Sequence, residues 1–498
     1  MIATRSLGIV GLLAFSGALL AQTPTPILDP SYRVETIATP AGLIPETGGI
    51  CFTAAGDLAI CFRRGEIWRA PMPVDPRETP RWKRFAHGLH EPLGLLPGRD
   101  AQELLVAERP AITRVRDEDG DGTADLYEVV SEDFGVSGNY HEYTFGPVRD
   151  AQGNLYFGLG CASDAKGIFD EPRGEVSAAG RKGRMYSAVP WRGWCLKITP
   201  EGKQVPFASG LREPNGFCFD LEGRLYCVDN QGDWLGTSKL HHVREGGFHG
   251  HVSSLVWDKS FTRDPLSVPV EELDRLRKRE AILFPQGKLA NSPTQPLCDT
   301  TSGAFGPYAG QLFSGCITYD RLLRIALEEV GGEMQGAAFP FLDGNGLRKG
   351  NNRMAWSPDG KTLYVGQTAR GWGEGEGLQR VVFTGVLPFD VLRMQLVEDG
   401  FVLHFTQPVD RARAAETARY ALQRYHYLYH RPYGSDRMEE EPVAVDAATV
   451  SDDGLRVHLR CGIVQAPQVY ELHLAELVSA SGVPLRTTSA YYTLNRRR

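Results

Sequence analysis

The stretch PNGFCFDLEGRLYCVD at residues 214–229 contains an apolar segment, a turn rich in Gly and acidic residues, and a second apolar segment that ends at Asp229. Two short apolar segments around such a turn predict a β-hairpin. Five related copies lie at residues 48–69, 91–115, 143–198, 303–325 and 353–381. Six units at spacings of roughly 40 to 90 residues predict a six-bladed β-propeller, because one small sheet buries both of its faces only against its neighbours.

Two intervals in this series are long, at residues 162–191 and 252–299, and we interpret them as insertions. The first is rich in Gly and Arg and is predicted to be a loop, whereas residues 270–277 of the second predict a helical turn or two. Insertions of this length in compact folds are usually functional.

The repeat stops after Gly385, so residues 22–385 are assigned to the propeller. Residues 386–498 contain alternating segments at 401–405, 455–459 and 469–474, which predict a small β-sandwich of the immunoglobulin-like type. The aromatic run at 425–430 has two interpretations, a ligand site or an alternating strand, and its alternation favours the strand. The fold class is therefore all-β.

Composition narrows the class of protein further. Glycine accounts for 56 of the 498 residues, well above the usual share of about 7%, and the glycines lack the period of collagen. The formal net charge of −7 argues against nucleic acid or an anionic membrane as the main partner.

The N-terminal 21 residues are typical of an export signal. Arg5 is followed by an apolar stretch at 7–20, and Ala21 is a plausible cleavage point. An uncleaved anchor is the alternative. No later segment reaches about 18 apolar residues, so no membrane span is expected after signal removal. Nine cysteines are compatible with an oxidising compartment, and we expect a periplasmic or secreted protein.

Residues 117–128 match the spacing of a calcium-binding loop, with carboxylates at positions 1, 3 and 5, Gly at 6 and Glu at 12. Its flanks indicate strands, so we expect a structural Ca²⁺ in a loop between blade strands. A solvated acidic turn is the alternative. The predicted ligands are Asp117, Asp119, Asp121, Thr123, Asp125 and Glu128.

A second set of polar residues occupies equivalent positions in several repeats. His141, Arg212 and Arg353 precede inner strands, and residues 229–234 and 367–372 follow second strands. Loops at equivalent blade positions converge at the mouth of the channel, where a polar pocket is expected. There, His is a candidate base, Arg stabilises negative charge and Trp offers a stacking surface. Taken singly, each residue is better explained by a structural role, whereas the set at repeat-equivalent positions supports a site and a structural role about equally.

Four runs carry a family resemblance: NYHEYTFG at 139–146, DNQGDW at 229–234, GQTARGWG at 366–373 and FTQPVD at 405–410. With them, the chain resembles the glucose/sorbosone dehydrogenase group, whose members include soluble quinoprotein glucose dehydrogenases. Within that group it is similar to a secreted bacterial branch that is often fused to c-type cytochrome modules.

The resemblance implies a site with the cofactor pyrroloquinoline quinone (PQQ) and a Ca²⁺ beside it. His141 would be the catalytic base and Arg212 would lie near the quinone, while Arg353 would hold PQQ. Glu213 stands where the dehydrogenases have Asn, and Thr318 stands where they have Lys. The carbonyls of Gln231 and Gly232 would bind the calcium, and further cofactor-binding residues would be Asp233, Trp234, Arg370 and Trp372.

The expected function is oxidation of a sugar hydroxyl, of the aldose or sorbosone type, with electrons passed to a separate c-type cytochrome. No C-x-x-C-H motif occurs, so the chain carries no haem of its own. Two alternatives stay open. One is a non-catalytic propeller that binds glycans or proteins; the other is a calcium-dependent lactonase, for which Glu91, Glu213 and Asp229 are candidate metal ligands.

Overall fold

The computed structural model describes residues 29–73, 75, 77–164, 167–168, 171–370 and 373–498. The predicted export signal and Trp372 lie outside the described residues. Within these ranges, none of the helices has both the length and the apolar character needed to span a bilayer.

Six antiparallel four-stranded units follow one another along the chain, and we number them as blades 1 to 6. Blade 1 consists of Thr47–Phe52, Leu58–Phe62, Glu66–Ala70 and Lys83–Ala86; blade 2 of Leu95–Pro97, Glu103–Glu108, Ala111–Arg116 and Leu126–Ser131. Blade 3 consists of Thr144–Arg149, Leu155–Leu159, Trp194–Ile198 and Gln204–Ser209; blade 4 of Pro214–Phe219, Leu225–Asp229, Ser238–Val243 and Ile282–Phe284. Blade 5 consists of Pro293–Cys298, Leu312–Cys316, Leu322–Val330 and Glu333–Phe341; blade 6 of Asn351–Trp356, Thr362–Gln367, Gly377–Phe383 and Tyr32–Ile37. The predicted six-bladed propeller is confirmed.

Blade 6 joins the two ends of the propeller. Its outer strand is Tyr32–Ile37, which pairs antiparallel with Gly377–Phe383 across more than 340 positions of sequence. A ring closed in this way leaves no blade without a neighbour on either side, so every sheet face is covered.

The predicted position of blade 5 was wrong in one respect. Its inner strand is Pro293–Cys298 and not the segment at 303–305, which forms turns. The supposed insertion at 252–299 therefore contains this strand as well as the outer strand Ile282–Phe284 of blade 4. The strand contains two prolines, which hide its pattern, but they are tolerated because an inner strand is a sheet edge and needs fewer backbone donors.

Glycine allows neighbouring blades to approach closely at every junction. A Cβ atom placed on one glycine at each junction would lie within 2.7 Å of an atom of the next blade. These glycines are Gly49, Gly94, Gly158, Gly216, Gly315 and Gly366. The high glycine content is thus partly a requirement of packing six inner strands around one channel.

The insertion in blade 3 contains a two-stranded ribbon, Ala162–Ser163 with Met185–Tyr186. The insertion in blade 4 contains the 3₁₀ turns Val252–Trp257 and Pro265–Ser267 and the helix Val270–Leu276, which confirms the predicted helical segment.

The C-terminal part forms two facing layers. One layer contains Val391–Val397, Gly400–Phe405, Arg456–Arg460 and Ala447–Val450; the other contains Tyr420–His426, Met438–Val443, Gln468–Leu474 and Ser489–Leu494. The short helices Arg411–Ala414 and Thr417–Arg419 connect them. Phe401, Tyr470 and Tyr492 belong to one apolar cluster between the layers. These are the layers of the predicted sandwich.

Backbone hydrogen bonds join the C-terminal part to the propeller. Ser489–Leu494 pairs with Glu333–Phe341 of blade 5, so blade 5 continues into an eight-stranded sheet. The aromatic run at 425–430 belongs to a strand only as far as His426, and the residues after it reach the propeller, where the Tyr429 hydroxyl donates to the carbonyl of Gly250 (2.7 Å).

All nine cysteines are free thiols. In the sequence, Cys51 with Cys61 and Cys218 with Cys227 are candidate disulfide pairs because each pair flanks a short turn, and buried free cysteines are the alternative. Both pairs are out of register: Cys51 lies opposite Ala59, and Cys218 lies opposite Tyr226. The alternative of buried free cysteines is therefore correct for both hairpins.

We expect Gly94→Ala to destabilise the propeller by about 3 kcal/mol or more, because the added methyl group would lie 1.3 Å from the carbonyl oxygen of Gly146, a backbone atom. The matched control is Gly167→Ala, whose methyl group would meet no atom within 4 Å. Urea unfolding of both variants measures the difference. Equal stability of the two variants would contradict this account of the blade junctions.

Candidate functional site

A cavity of about 640 Å³ lies at one end of the channel, where loops from all six blades converge. Its walls are polar and aromatic, and they include segments from the blade 3 insertion and from the C-terminal part. The lining residues include Thr47, Arg63, Leu93, Tyr140, His141, Tyr143, Arg184, Arg212, Glu213, Asn230, Gln231, Thr318, Asn352, Arg370 and Tyr433.

Asp229 positions the residues that enter blade 4. It ends the second strand of that blade and is fully buried. Its two carboxylate oxygens accept the backbone N–H groups of Arg212 (2.9 Å) and Glu213 (2.7 Å). Burial by itself raises the pKa of Asp229, but His241 and Lys239 outweigh it and lower the pKa to about 2. Asp229 thus stays ionised and holds the two site residues beside the cavity.

His141 has a defined orientation. Its Nδ1 donates to the carbonyl of Cys161 (2.9 Å), since a carbonyl can only accept. The other nitrogen, Nε2, lies 3.2 Å from Oε2 of Glu213. The neutral imidazole therefore keeps its proton on Nδ1 and presents Nε2 as the basic nitrogen, next to a carboxylate.

Glu213 links His141 to Arg212. The same oxygen, Oε2, contacts Nε2 of His141 and accepts a hydrogen bond from the Arg212 guanidinium. Burial raises the pKa of Glu213, but His141 and Arg212 outweigh it and lower the pKa to about 2. The residue that differs from the dehydrogenase pattern is therefore an ionised carboxylate at the centre of the site.

A second group of charges centres on Glu91. Its oxygens accept from Arg63 (3.0 Å), Arg370 (3.1 Å) and Arg109 (2.8 Å). The guanidinium of Arg370 lies over the ring of Tyr143, 4.4 Å from its centre. Arg370, predicted to bind a cofactor, lies in the cavity wall with only Nη1 bonded to protein. Three guanidinium groups around one carboxylate leave this wall positively charged.

Arg353 was predicted to hold a cofactor, and the structure shows that this is wrong. It is 3% exposed and its guanidinium is bonded to protein oxygens on every side: the carbonyls of Gly48 (2.9 Å), Leu93 (3.1 Å) and Asn352 (2.8 Å), and the side chain of Asn215 (3.0 Å). It ties four blades together across the channel. An arginine beside an inner strand occupies the same sequence position whether it contacts a ligand or bonds to other blades, so the sequence does not distinguish the two roles.

The loop after Asp229 lies partly at the cavity and partly in the protein interior. Gln231 lines the cavity. The carbonyl of Gly232 accepts the N–H groups of Leu235 (3.3 Å) and Gly434 (3.0 Å). Trp234 packs on Tyr429, with ring centres 5.7 Å apart. The Gly232 carbonyl is thus already used, and the predicted calcium contact at this carbonyl does not fit.

Asp233 supports the blade 3 insertion. Its Oδ2 accepts the backbone N–H groups of Arg184 (3.1 Å) and Met185 (3.0 Å), and burial raises its pKa. It also forms an isolated antiparallel bridge with Tyr433. Asp233 therefore holds two segments together, and of the predicted cofactor residues in this loop only Gln231 faces the cavity.

Two residues of the site carried no signal in the sequence. Arg184 comes from the blade 3 insertion, and Tyr433 comes from the C-terminal part, more than 200 positions from Arg212. The Tyr433 hydroxyl accepts from Nη2 of Arg212 (3.1 Å), and its ring lies 4.1 Å from the guanidinium of Arg184. Only contact between the two parts of the chain brings these residues to the cavity.

The acidic loop lies far from the cavity, between the third and fourth strands of blade 2. Asp117, Asp119 and Asp125 bring carboxylate oxygens within 4.8 Å of one another. Asp121 accepts the backbone N–H of Thr123 (2.7 Å) and is not part of the group. Glu128 was predicted as the last ligand, but it lies opposite Arg114 in the strand register and pairs with it. Glu128 is therefore wrong as a ligand in this arrangement.

A cluster of buried ionisable groups lies behind the site in blade 4. His241, His249 and Lys239 are fully buried, and their side-chain nitrogens have no hydrogen-bond partner. Burial lowers the pKa of Lys239 to about 8, and it lowers the pKa of His249 well below its usual value of 6.5. Burial likewise lowers the pKa of His251 to about 3. His249 and His251 are therefore neutral in the folded protein.

Protein-family models give no match to this chain, and no curated protein matches its sequence. Solved structures give several similarities in fold. The PQQ-bound aldose sugar dehydrogenase of Streptomyces coelicolor is 16% identical; the match covers 71% of this chain and 99% of that one, with a TM-score of 0.49. The apo form of the soluble aldose sugar dehydrogenase of Escherichia coli is 14% identical, with 70% and 99% covered and a TM-score of 0.47. The holo PQQ domain of pyranose dehydrogenase from Coprinopsis cinerea is 13% identical, with 71% and 96% covered and a TM-score of 0.47.

We expect the free energy of unfolding to fall between pH 7 and pH 5. The unfolded chain protonates His249 and His251 below about pH 6.5, but the folded chain does not, so each contributes a loss of about 2 kcal/mol at pH 5. His249→Phe should reduce the loss by about that amount, while His87→Phe replaces an exposed histidine as the control. Urea unfolding at both pH values measures this. An unchanged loss in His249→Phe would contradict the assignment.

Proposed function

We propose that the chain is an exported sugar dehydrogenase, in which the pair His141–Glu213 takes the proton of a sugar hydroxyl in the central cavity. The observation that supports it is the geometry of His141: Nδ1 is bonded to a carbonyl, and Nε2 lies at the cavity beside an ionised carboxylate. Amides, arginines and aromatic rings around the cavity suit a polyhydroxylated ligand.

The geometry of the pair suits it to accept one proton. When the imidazole is neutral, its Nε2 and the Glu213 carboxylate are two acceptors 3.2 Å apart with no hydrogen between them. A proton that arrives from a hydroxyl removes this repulsion and creates an imidazolium–carboxylate pair. Arg212, on the same carboxylate, holds Glu213 at this distance. The pair must be deprotonated before the reaction, so the rate should rise with pH.

The cavity wall fits an anionic cofactor such as PQQ. Among the described residues, its lining includes Arg63, Arg184, Arg212 and Arg370 but only one carboxylate, Glu213. Of the residues predicted to hold the cofactor, Gln231 and Arg370 line the cavity and would contact it, together with Arg212, which was predicted to act beside the quinone. PQQ, if bound, would supply the acceptor for the hydride, and a separate haem protein would be the final electron acceptor. The chain's own residues bind the sugar, orient its hydroxyl and take the proton.

The carboxylates of a lactonase site are engaged elsewhere. Glu91 pairs with three arginines, and Asp229 accepts two backbone N–H groups. Among the described residues, neither they nor Glu213 belong to a group of three potential metal ligands. A non-catalytic propeller that binds glycans or proteins is the other alternative, and for a glycan it predicts binding of sugar with no turnover.

A calcium ion in the acidic loop is a second proposal, independent of the cavity. Asp117 is 3% exposed and accepts the N–H groups of Gly120 (2.7 Å) and Gly122 (2.8 Å), which turns the loop inward. Asp119 and Asp125 complete three carboxylates near one point. Backbone carbonyls and water would supply the remaining oxygens that calcium needs.

We expect His141→Ala to lower kcat by about 100-fold or more while sugar affinity changes little, because the proton acceptor is lost. In Glu213→Gln, the imidazolium that forms on His141 loses its anionic partner, so kcat should fall by about tenfold or more. Dye reduction with a panel of aldoses, after addition of PQQ and Ca²⁺, measures both effects.

The control for Glu213→Gln is Glu222→Gln, an exposed carboxylate in the same blade. A wild-type protein that binds sugar but reduces no dye would support the non-catalytic alternative. Turnover that survives unchanged in both His141→Ala and Glu213→Gln would contradict the assignment of the base. Hydrolysis of lactones without dye reduction would favour the lactonase.

We expect Ca²⁺ to raise the melting temperature of the EDTA-treated protein and Asp119→Asn to abolish most of that increase, because a bound ion stabilises only the folded loop. Asp133→Asn, which changes an exposed carboxylate of the same blade, is the control. Differential scanning calorimetry with and without Ca²⁺ measures the shift. A shift of equal size in Asp119→Asn would overturn the site.

A further inference from the structure

Arg184 differs from the other arginines that line the cavity. Arg63 and Arg370 pair with Glu91, and Arg212 pairs with Glu213. Within the part of the chain that the structure describes, the guanidinium of Arg184 has no carboxylate within 4.0 Å and donates no hydrogen bond. A cation at a cavity wall without an anionic partner is open to an anionic ligand.

The position of Arg184 is nevertheless well defined. Its backbone N–H donates to Oδ2 of Asp233 (3.1 Å), and its carbonyl accepts the N–H of Asp164 (2.8 Å). Its guanidinium stacks on the ring of Tyr433 at 4.1 Å. The two backbone contacts fix the position of the residue. Its side chain is exposed and, among the described residues, packs on the Tyr433 ring without using any of its five N–H donors, which are therefore open to a ligand.

Tyr433 is itself held by contacts that cross from the C-terminal part to the propeller. Its hydroxyl accepts from Arg212 (3.1 Å), it forms a bridge with Asp233, and the N–H of the next residue, Gly434, donates to the carbonyl of Gly232 (3.0 Å). The Tyr433 ring on which Arg184 packs is therefore held in place by the fold. It depends on two segments that lie outside the repeating strands of the propeller.

We propose that Arg184, supported by Tyr433, binds the carboxylate of a sugar acid, so that the substrates are uronic acids or acidic glycan ends and not neutral aldoses. This inference rests on the proposed function, since it places the sugar in the same cavity as His141. A guanidinium stacked on a ring presents its edge to a carboxylate, which accepts two parallel hydrogen bonds.

The test compares binding of D-glucuronate and D-glucose, and of D-galacturonate and D-galactose, by isothermal titration calorimetry without cofactor. A charge-assisted contact predicts that the acid binds about tenfold tighter or more. Arg184→Gln should remove this preference and leave affinity for glucose within about twofold. Arg184→Lys keeps the charge and should retain part of the preference. Arg181→Gln, an exposed arginine of the same insertion, is the matched control.

The outcomes separate this inference from the proposed function. Equal affinity for acidic and neutral sugars, or a preference that survives in Arg184→Gln, overturns the inference and leaves the proposed function standing. If neither sugar class binds in the cavity, both are overturned. If Arg184→Gln weakens binding of PQQ alone, in a separate titration, then the carboxylate belongs to the cofactor and the inference is wrong. Circular dichroism of each variant excludes misfolding as the cause.

Discussion

The buried carboxylate of Asp229 is the constraint on which the site depends. It accepts the backbone N–H groups of Arg212 and Glu213, which are the last residues before the inner strand of blade 4. Both side chains are thereby placed at the cavity, where Glu213 reaches His141. Behind Asp229, His249, His251 and Lys239 are buried, so the site is supported by a polar interior that becomes less stable as the pH falls from 7 to 5.

The cavity is built from three parts of the chain. The six blades supply its floor and most of its polar wall, the blade 3 insertion supplies Arg184, and the C-terminal part supplies Tyr433. The C-terminal part is joined to blade 5 through one continuous sheet and is held at the cavity by the Gly434 contact. It is therefore a structural component of the site and not only a neighbour of the propeller.

The repeat of hairpins was sufficient to predict six blades, because each blade carries a local pattern of apolar strands and turns. The pattern failed at Pro293–Cys298, where prolines on an edge strand conceal it. The sequence also placed His141 and Arg212 correctly at the cavity, because the position of each residue relative to an inner strand can be read from the neighbouring sequence. Arg353 has the same local position, but its partners come from other blades, and a sequence does not show them. Arg184 and Tyr433 depend on contacts over long distances in sequence and could not be predicted.

The central claim is that a sugar binds in the cavity with a hydroxyl at the His141–Glu213 pair. A crystal structure of the protein with bound D-glucuronate tests it most directly. The account predicts a sugar hydroxyl within hydrogen-bond distance of Nε2 of His141 or of the Glu213 carboxylate, with the sugar carboxylate on Arg184. A sugar bound elsewhere, with the pair still in direct contact and the cavity empty of sugar, would contradict it.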